Sequence, residues 1–250
     1  MHRLLFLILL LSAASLIAPV DAAAQTPVPR FSVGLEESAD PQDFVLSMKI
    51  VFLLTILTLS PSILIMMTSF TRVIIVFQFL RNALGTMQIP SGQILIGLAL
   101  FVTFFIMRPV IDEINESALQ PYLNRQISQT QALENAIEPI RAFMLKQTRE
   151  KDLELFVSLE GNTRPRNADE LSMAVIIPAF IISEINTAFR IGFLLYLPML
   201  LIDIIVASVL LSMGMMMLPP IMISLPFKLL LFVLVDGWYL VIESVVKGFG

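Results

Sequence analysis

The reading of one stretch decides the fold: Leu171 to Ser212, LSMAVIIPAFIISEINTAFRIGFLLYLPMLLIDIIVASVLLS. Thirteen uncharged residues precede Glu184, twelve more separate Arg190 from Asp203, and no further charge follows until Lys228. Several of these runs are shorter than the roughly 20 residues that a lipid-facing helix needs to cross a bilayer. Prolines recur at 178, 198, 219, 220 and 226. Backbone interrupted so often is tolerated at membrane depth only where protein or water surrounds it. The stretch therefore predicts a membrane protein of kinked helices, much of whose surface faces other protein.

Composition supports the membrane reading. Of the 250 residues, 57% are hydrophobic and 14% charged, against roughly 25% charged in soluble domains. Half of the charges fall between Asp112 and Ser172, where eleven acids and seven bases mark one polar insert. The fold class expected is all-α: an integral membrane protein of kinked helical hairpins with a helical insert.

The chain divides on this reading as follows. Residues 1–24 resemble a cleavable signal peptide, with a basic start at His2 and Arg3, an apolar run from Leu4 to Leu11 and small residues at Ala22 to Ala24. The plainer alternative, an uncleaved first membrane helix, suffers from the shortness of that run. Residues 25–43, with three prolines, form a mobile outer leader. Residues 44–111 make a first apolar hairpin. Its spans lie between Lys49 and Arg72 and between Arg81 and Arg108, with a kink expected at Ser60-Pro61-Ser62. Arg72 to Gln88, basic and without acids, reads as a cytoplasmic turn by the positive-inside rule. That places the insert, residues 112–172, on the outer face. In the insert Leu133, Ala136, Ile137, Ile140, Phe143 and Met144 follow the spacing of one helix face. Pro139 is expected to kink this helix or start a new one, and Gly161-Asn162 to end the apolar pattern. Ile137, Ile140 and Phe143 are the candidate packing residues for assembly. Residues 173–250 form a second apolar hairpin.

Several chemistries are excluded. There is no cysteine, and the single histidine is His2. A mature chain beginning after Ala24 has neither, which rules out Ser-His and Cys-His catalysis and ordinary zinc sites. No metal, cofactor or catalytic residue is expected. Asp203 and Asp236 would have to share a proton at close range to act as an intramembrane protease, and nothing in the sequence brings them together. Glu184 and Arg190, six residues apart, do not share a helix face. Each is expected to pair with another segment or subunit. An unpaired Asp203 at a helix centre would cost on the order of 3 kcal/mol, so it too requires a donor, and an intersubunit structural role is expected. Proton coupling is the alternative use of such groups, and a small-solute transporter or ion channel the alternative protein class.

The hairpin tip is unusual. Met213, Met215, Met216, Met217 and Met222 surround Gly214 and precede or flank Pro219-Pro220. Methionine commonly fills irregular core gaps, but the glycine and the double proline favour a loop.

Three blocks resemble the FliP family, export-gate subunits of the flagellar type III secretion apparatus. They are Ser60 to Gly97 (SPSILIMMTSFTRVIIVFQFLRNALGTMQIPSGQILIG), Pro178 to Phe193 (PAFIISEINTAFRIGF) and Pro198 to Gly237 (PMLLIDIIVASVLLSMGMMMLPPIMISLPFKLLLFVLVDG). One departure is Pro90-Ser91-Gly92, where the family pattern has a second proline and an asparagine. The resemblance implies a non-enzymatic subunit of the bacterial inner membrane and flagellar basal body, with its N-terminus and insert in the periplasm. Copies, five by analogy, would wind with FliQ and FliR into a helical, ring-like gate for unfolded flagellar proteins. FliO would assist assembly, and FlhB and FlhA would act on the cytoplasmic side. Injectisomes use a close relative. The resemblance also implies that Met215, Met216 and Met217 sit at the narrowest point of the gate, shaped by Gly214, Pro219 and Pro220.

Overall fold

A computed structural model describes residues 41–86, 89–160, 170–215 and 217–250. The signal peptide, almost all of the leader, Gly161-Asn162 and Met216 lie outside the described residues. The chain divides at Val51 into two units, and only the start of α1 is described in the first.

Every regular element among the described residues is helical. Helix α1 (Pro41–Met66) continues through Ser60-Pro61-Ser62, so the interruption expected there does not end it. Its apolar side chains are exposed, among them Phe52, Leu53 and Leu57.

Helix α2 (Phe70–Leu84) corrects the reading of Arg72 to Gln88 as a turn. Val73, Val76, Phe77, Leu80, Ala83 and Leu84 recur at helical spacing, and all are buried. Two arginines in an apolar stretch had suggested a surface; one of them, Arg72, is itself buried and neutralised. Gly85, at φ 75°, closes the helix in the left-handed conformation that glycine adopts without steric cost.

Ser91 caps α3 (Gly92–Ile114), its hydroxyl accepting from the Ile94 N–H at 3.4 Å. The rod continues through a π-helical turn (Asn115–Leu119) into α4 (Gln120–Leu123). From Gly92 to Leu123 it is long and apolar enough to cross a membrane. Leu95, Ala99, Val102, Ile106 and Val110 form its buried face, while Phe101, Phe104 and Phe105 point outward.

The insert opens with α5 (Gln129–Gln147), fixed at its start by a capping box between Ser128 and Gln131. Pro139 neither breaks this helix nor starts a new one. Helix α6 (Glu150–Glu160) follows.

Helix α7 (Met173–Ser212) is the largest correction. The stretch expected to be broken is one helix of 40 residues. Pro178 and Pro198 lie inside it and its charges do not end it. A proline removes one backbone hydrogen bond, and the helix continues through both. At 1.5 Å per residue α7 is about 60 Å long, roughly twice the 30 Å hydrocarbon core. It therefore extends beyond the bilayer or lies strongly tilted in it. Helices α8 (Pro220–Leu234) and α9 (Gly237–Lys247) follow, bent by 63° at their junction.

The principal core joins the buried faces of α2 and α3 to Ala188 and Met199 of α7, Phe232 of α8, Val241 and Val245 of α9, and Phe249. A second cluster of Met144, Ile176 and Phe180 seats the insert on the first turns of α7. Gly237 is required at the α8–α9 bend: a Cβ there would lie 2.2 Å from the Phe232 ring.

Candidate functional site: the methionine loop and its buried ion pairs

The loop is set by local chemistry at both ends. After Ser212, Met213 ends α7 and Gly214 takes a left-handed φ of 75°. The Met215 N–H donates to the Leu210 carbonyl at 2.9 Å and the Gly214 N–H to that of Leu211 at 3.1 Å. This is a Schellman termination, for which glycine is the residue with no steric penalty. Pro219 and Pro220 then occupy the N-cap and first position of α8, where the missing N–H costs nothing. The described methionines point outward. Met213, Met215 and Met222 are exposed, and Met217 is 99% accessible. Core filling does not account for them within this chain.

Beneath the loop, three side chains tie α7, α8 and α2 together. Lys228 Nζ donates to Asp203 Oδ2 at 2.6 Å and to the Ala83 carbonyl at 3.2 Å. Ser224 Oγ donates to Asp203 Oδ1 at 2.5 Å. Lys228 and Ser224 are buried, and Asp203 is half-buried. The donor required by Asp203 thus comes from its own chain. A carboxylate and an ammonium at membrane depth are tolerable only when paired in this way.

A second pair lies about 30 Å along α7, some nineteen residues before Asp203. Arg72 of α2 holds the Glu184 carboxylate with Nε, at 2.9 Å from Oε2, and with Nη2 on Oε1. The same guanidinium donates to the Gly248 carbonyl at 2.9 Å and to Gln147 Oε1 at 3.1 Å, and it lies 3.7 Å over the Phe249 ring. Gln147 Nε2 in turn donates to the Phe249 carbonyl. Arg72 therefore joins α2, α5, α7 and the end of the chain. Glu184 also pairs within its own chain. Arg190 is exposed and has no partner among the described residues.

The base of the insert is secured one residue before Glu184. Ser183 Oγ donates to Asp152 Oδ2 at 2.5 Å, and Arg149 Nε donates to the same oxygen at 2.7 Å. Burial alone would raise the Asp152 pKa. The hydrogen bonds from Ser183 and Arg149 and the nearby positive charges outweigh it, and hold the carboxyl below its ordinary value of 3.8. The stability linked to this shift is fully present above the unfolded pKa and is lost as pH falls through the lower folded value. Acid titration of the detergent-solubilised protein below about pH 5 is expected to release the insert, read as new protease cleavage near α6. Asp152→Asn is expected to flatten that dependence.

Of the insert residues singled out, Phe143 packs into both cores, stacking on Phe249 with centroids 6.1 Å apart and meeting Phe180 edge-on at 6.0 Å. Ile140 joins the second cluster, whereas Ile137 is exposed. Phe143 and Ile140 thus have partners in their own chain, and Ile137 is the one left on the surface.

Sequence reasoning missed Arg72, Lys228, Ser224 and Asp152. For Lys228 a signal existed. Asp203 lies thirteen residues before Met216 and Lys228 twelve after it, so an antiparallel hairpin turning at the methionines puts them level. For Arg72 and Glu184, 112 residues apart, there was none. Asp203 and Asp236 are not brought into a dyad. The first is paired with Lys228, and the second stands at the α8–α9 junction without a side-chain capping bond.

Long apolar helices, internally neutralised charges and a hairpin tip of exposed methionines define an all-α membrane protein. The FliP family pattern matches residues 53–245. The chain is 51% identical over 217 residues to the flagellar biosynthetic protein FliP of Bacillus subtilis, covering 87% of this chain and 98% of that one. It is 46% identical over 249 residues to the FliP of Caulobacter vibrioides, covering 100% and 92%. The FliP of Pectobacterium carotovorum is 52% identical over 208 residues, covering 83% and 81%. The chain belongs to the FliP family, whose members are components of the flagellar export apparatus.

Proposed function

We propose that the protein is a core subunit of the flagellar protein export gate in the bacterial inner membrane. Copies of it, five on this reading, assemble with FliQ and FliR into a ring in the basal body. Unfolded flagellar proteins cross through the centre. FliO assists assembly, and FlhB and FlhA act on the cytoplasmic side. The signal peptide is removed, and the leader and insert face the periplasm.

The observation that carries this reading is the hairpin tip. A loop of methionines turned outward, on helices pinned by Asp203 and Lys228, suits a compliant constriction. A pore for an unfolded chain must admit side chains of every size without leaking ions. Methionine has three rotatable side-chain bonds and a polarisable sulfur, so a ring of it refits to each passing residue. An apolar constriction also excludes ions by dewetting when empty. The exposed apolar faces of α1 and α8, among them Phe52, Leu53 and Val233, supply surface for neighbouring subunits or lipid.

The test replaces Met215, Met216 and Met217 together with alanine. The complex is expected to form in normal amount, yet conduct small ions when reconstituted in planar bilayers, where the native complex is closed. A triple variant that assembles fully and stays closed would remove the seal from the reading. Failure of the native chain to copurify with FliQ and FliR would remove the gate itself.

A further inference from the structure

Within α7, α8 and α9, pairing leaves two charges over. Glu184 is held by Arg72, Asp203 by Lys228, and Glu243 by Lys247. Arg190 and Asp236 have no side-chain partner among the described residues, and both are exposed. They carry opposite charge and are set in apolar surface, Arg190 between Phe189 and Phe193, Asp236 after Leu234 and Val235. At membrane depth a guanidinium and a carboxylate on such faces need counter-charges from outside the chain.

At 1.5 Å per residue their heights along the hairpin differ by about 8 Å. Asp203 and Lys228 fix the register of α7 against α8. From that level, Arg190 lies thirteen residues back along α7, about 20 Å, and Asp236 eight residues on along α8, about 12 Å, both away from the methionine loop. The flexible arginine stem spans most of the remaining difference.

Asp236 has a φ of 50°, a left-handed conformation that glycine, asparagine and aspartate tolerate, and its carboxylate makes no capping bond to α9.

We propose that Arg190 of one copy pairs with Asp236 of a neighbouring copy, so that α7 of each subunit docks beside the α8–α9 bend of the next. Charge complementarity between two otherwise unpartnered groups of the same chain, within reach of an arginine stem, is the argument for a second copy over another partner. The contact rests on the ring of copies proposed above.

The chain contains no cysteine, which makes a direct test available. Two differently tagged full-length copies, one Arg190→Cys and one Asp236→Cys, are coexpressed in a flagellated host lacking its own copy. Membranes are then treated with a short bismaleimide. A product carrying both tags is expected, and none when either substitution is present alone. Tyr239→Cys, one turn into α9 and also exposed, replaces Asp236→Cys as a variant free of the left-handed backbone. Separately, Arg190→Asp is expected to lower complex recovery at least about thirtyfold, the order of loss when one member of a desolvated pair is removed. Asp236→Lys in the same chain is expected to restore it. Absence of the two-tag product from a complex of normal size overturns the contact and leaves the ring intact. Crosslinking of either thiol to a different protein overturns the choice of partner. Failure of the differently tagged native copies to copurify overturns the ring and the contact together.

Discussion

Glu184→Ala is expected to produce the largest loss of folded protein of any single change in the chain. The substitution leaves Arg72, 3% exposed, without a counter-charge in the middle of the core. Breaking a buried pair from one side costs about 3–5 kcal/mol, a large part of the 5–15 kcal/mol by which native domains are stable. Arg72 cannot relax toward water, because its other donors are engaged by Gly248 and Gln147 and its face by Phe249. Four segments therefore loosen together. Thermal aggregation of the detergent-solubilised protein and its steady-state amount in membranes report the effect. Glu184→Gln, which keeps an acceptor, should fall between native and alanine. A double variant, Arg72→Met with Glu184→Leu, should be less damaged than Glu184→Ala alone, since no charge is then buried. If the double variant is the worse of the two, the pair is not what holds these segments.

Asp203→Ala is expected to be nearly as severe in stability and more specific in function. It leaves Lys228, 4% exposed at its side chain, with only the Ala83 carbonyl as an acceptor. It also takes from Ser224 its stronger acceptor. The expected cost is again about 3–5 kcal/mol. The converse change, Lys228→Met, should be milder, because Asp203 is 21% exposed and keeps the Ser224 hydroxyl. This cluster alone, of the two, lies under the methionine loop. Complexes that still assemble with Asp203→Ala should therefore pass ions when the native complex does not, whereas surviving Glu184→Gln complexes should remain closed. Equal leakage from both, or a greater loss from Lys228→Met than from Asp203→Ala, would show that the cluster does not position the loop.

These two pairs also mark where reading the sequence stops. Isolated charges in apolar runs announced that Glu184 and Asp203 needed partners, because ionisable groups are costly at membrane depth. Which partners they take is a long-range matter. Arg72 carried the wrong message: an arginine beside an apolar run ordinarily signals a cytoplasmic end, and here it is neutralised inside the protein. That single neutralisation turned an expected loop into α2, the helix with the most completely buried face. Sequence reading similarly treated Pro178 and Pro198 as breaks, since the lost hydrogen bond is what is visible locally.

The sequence by itself determined the all-α membrane character, the polar insert and the methionine turn. Each of these is written in composition or within a few neighbouring residues, such as Gly214 in its left-handed site and Pro219-Pro220 at the head of α8. Only the tertiary structure decided that α7 is unbroken, that α2 is a core helix, and that the ion pairs close within one chain. Those outcomes depend on contacts between residues as far apart as Arg72 and Glu184. The free energy of a buried charge is set by what lies a few ångströms away in space, and adjacency along the chain does not specify it.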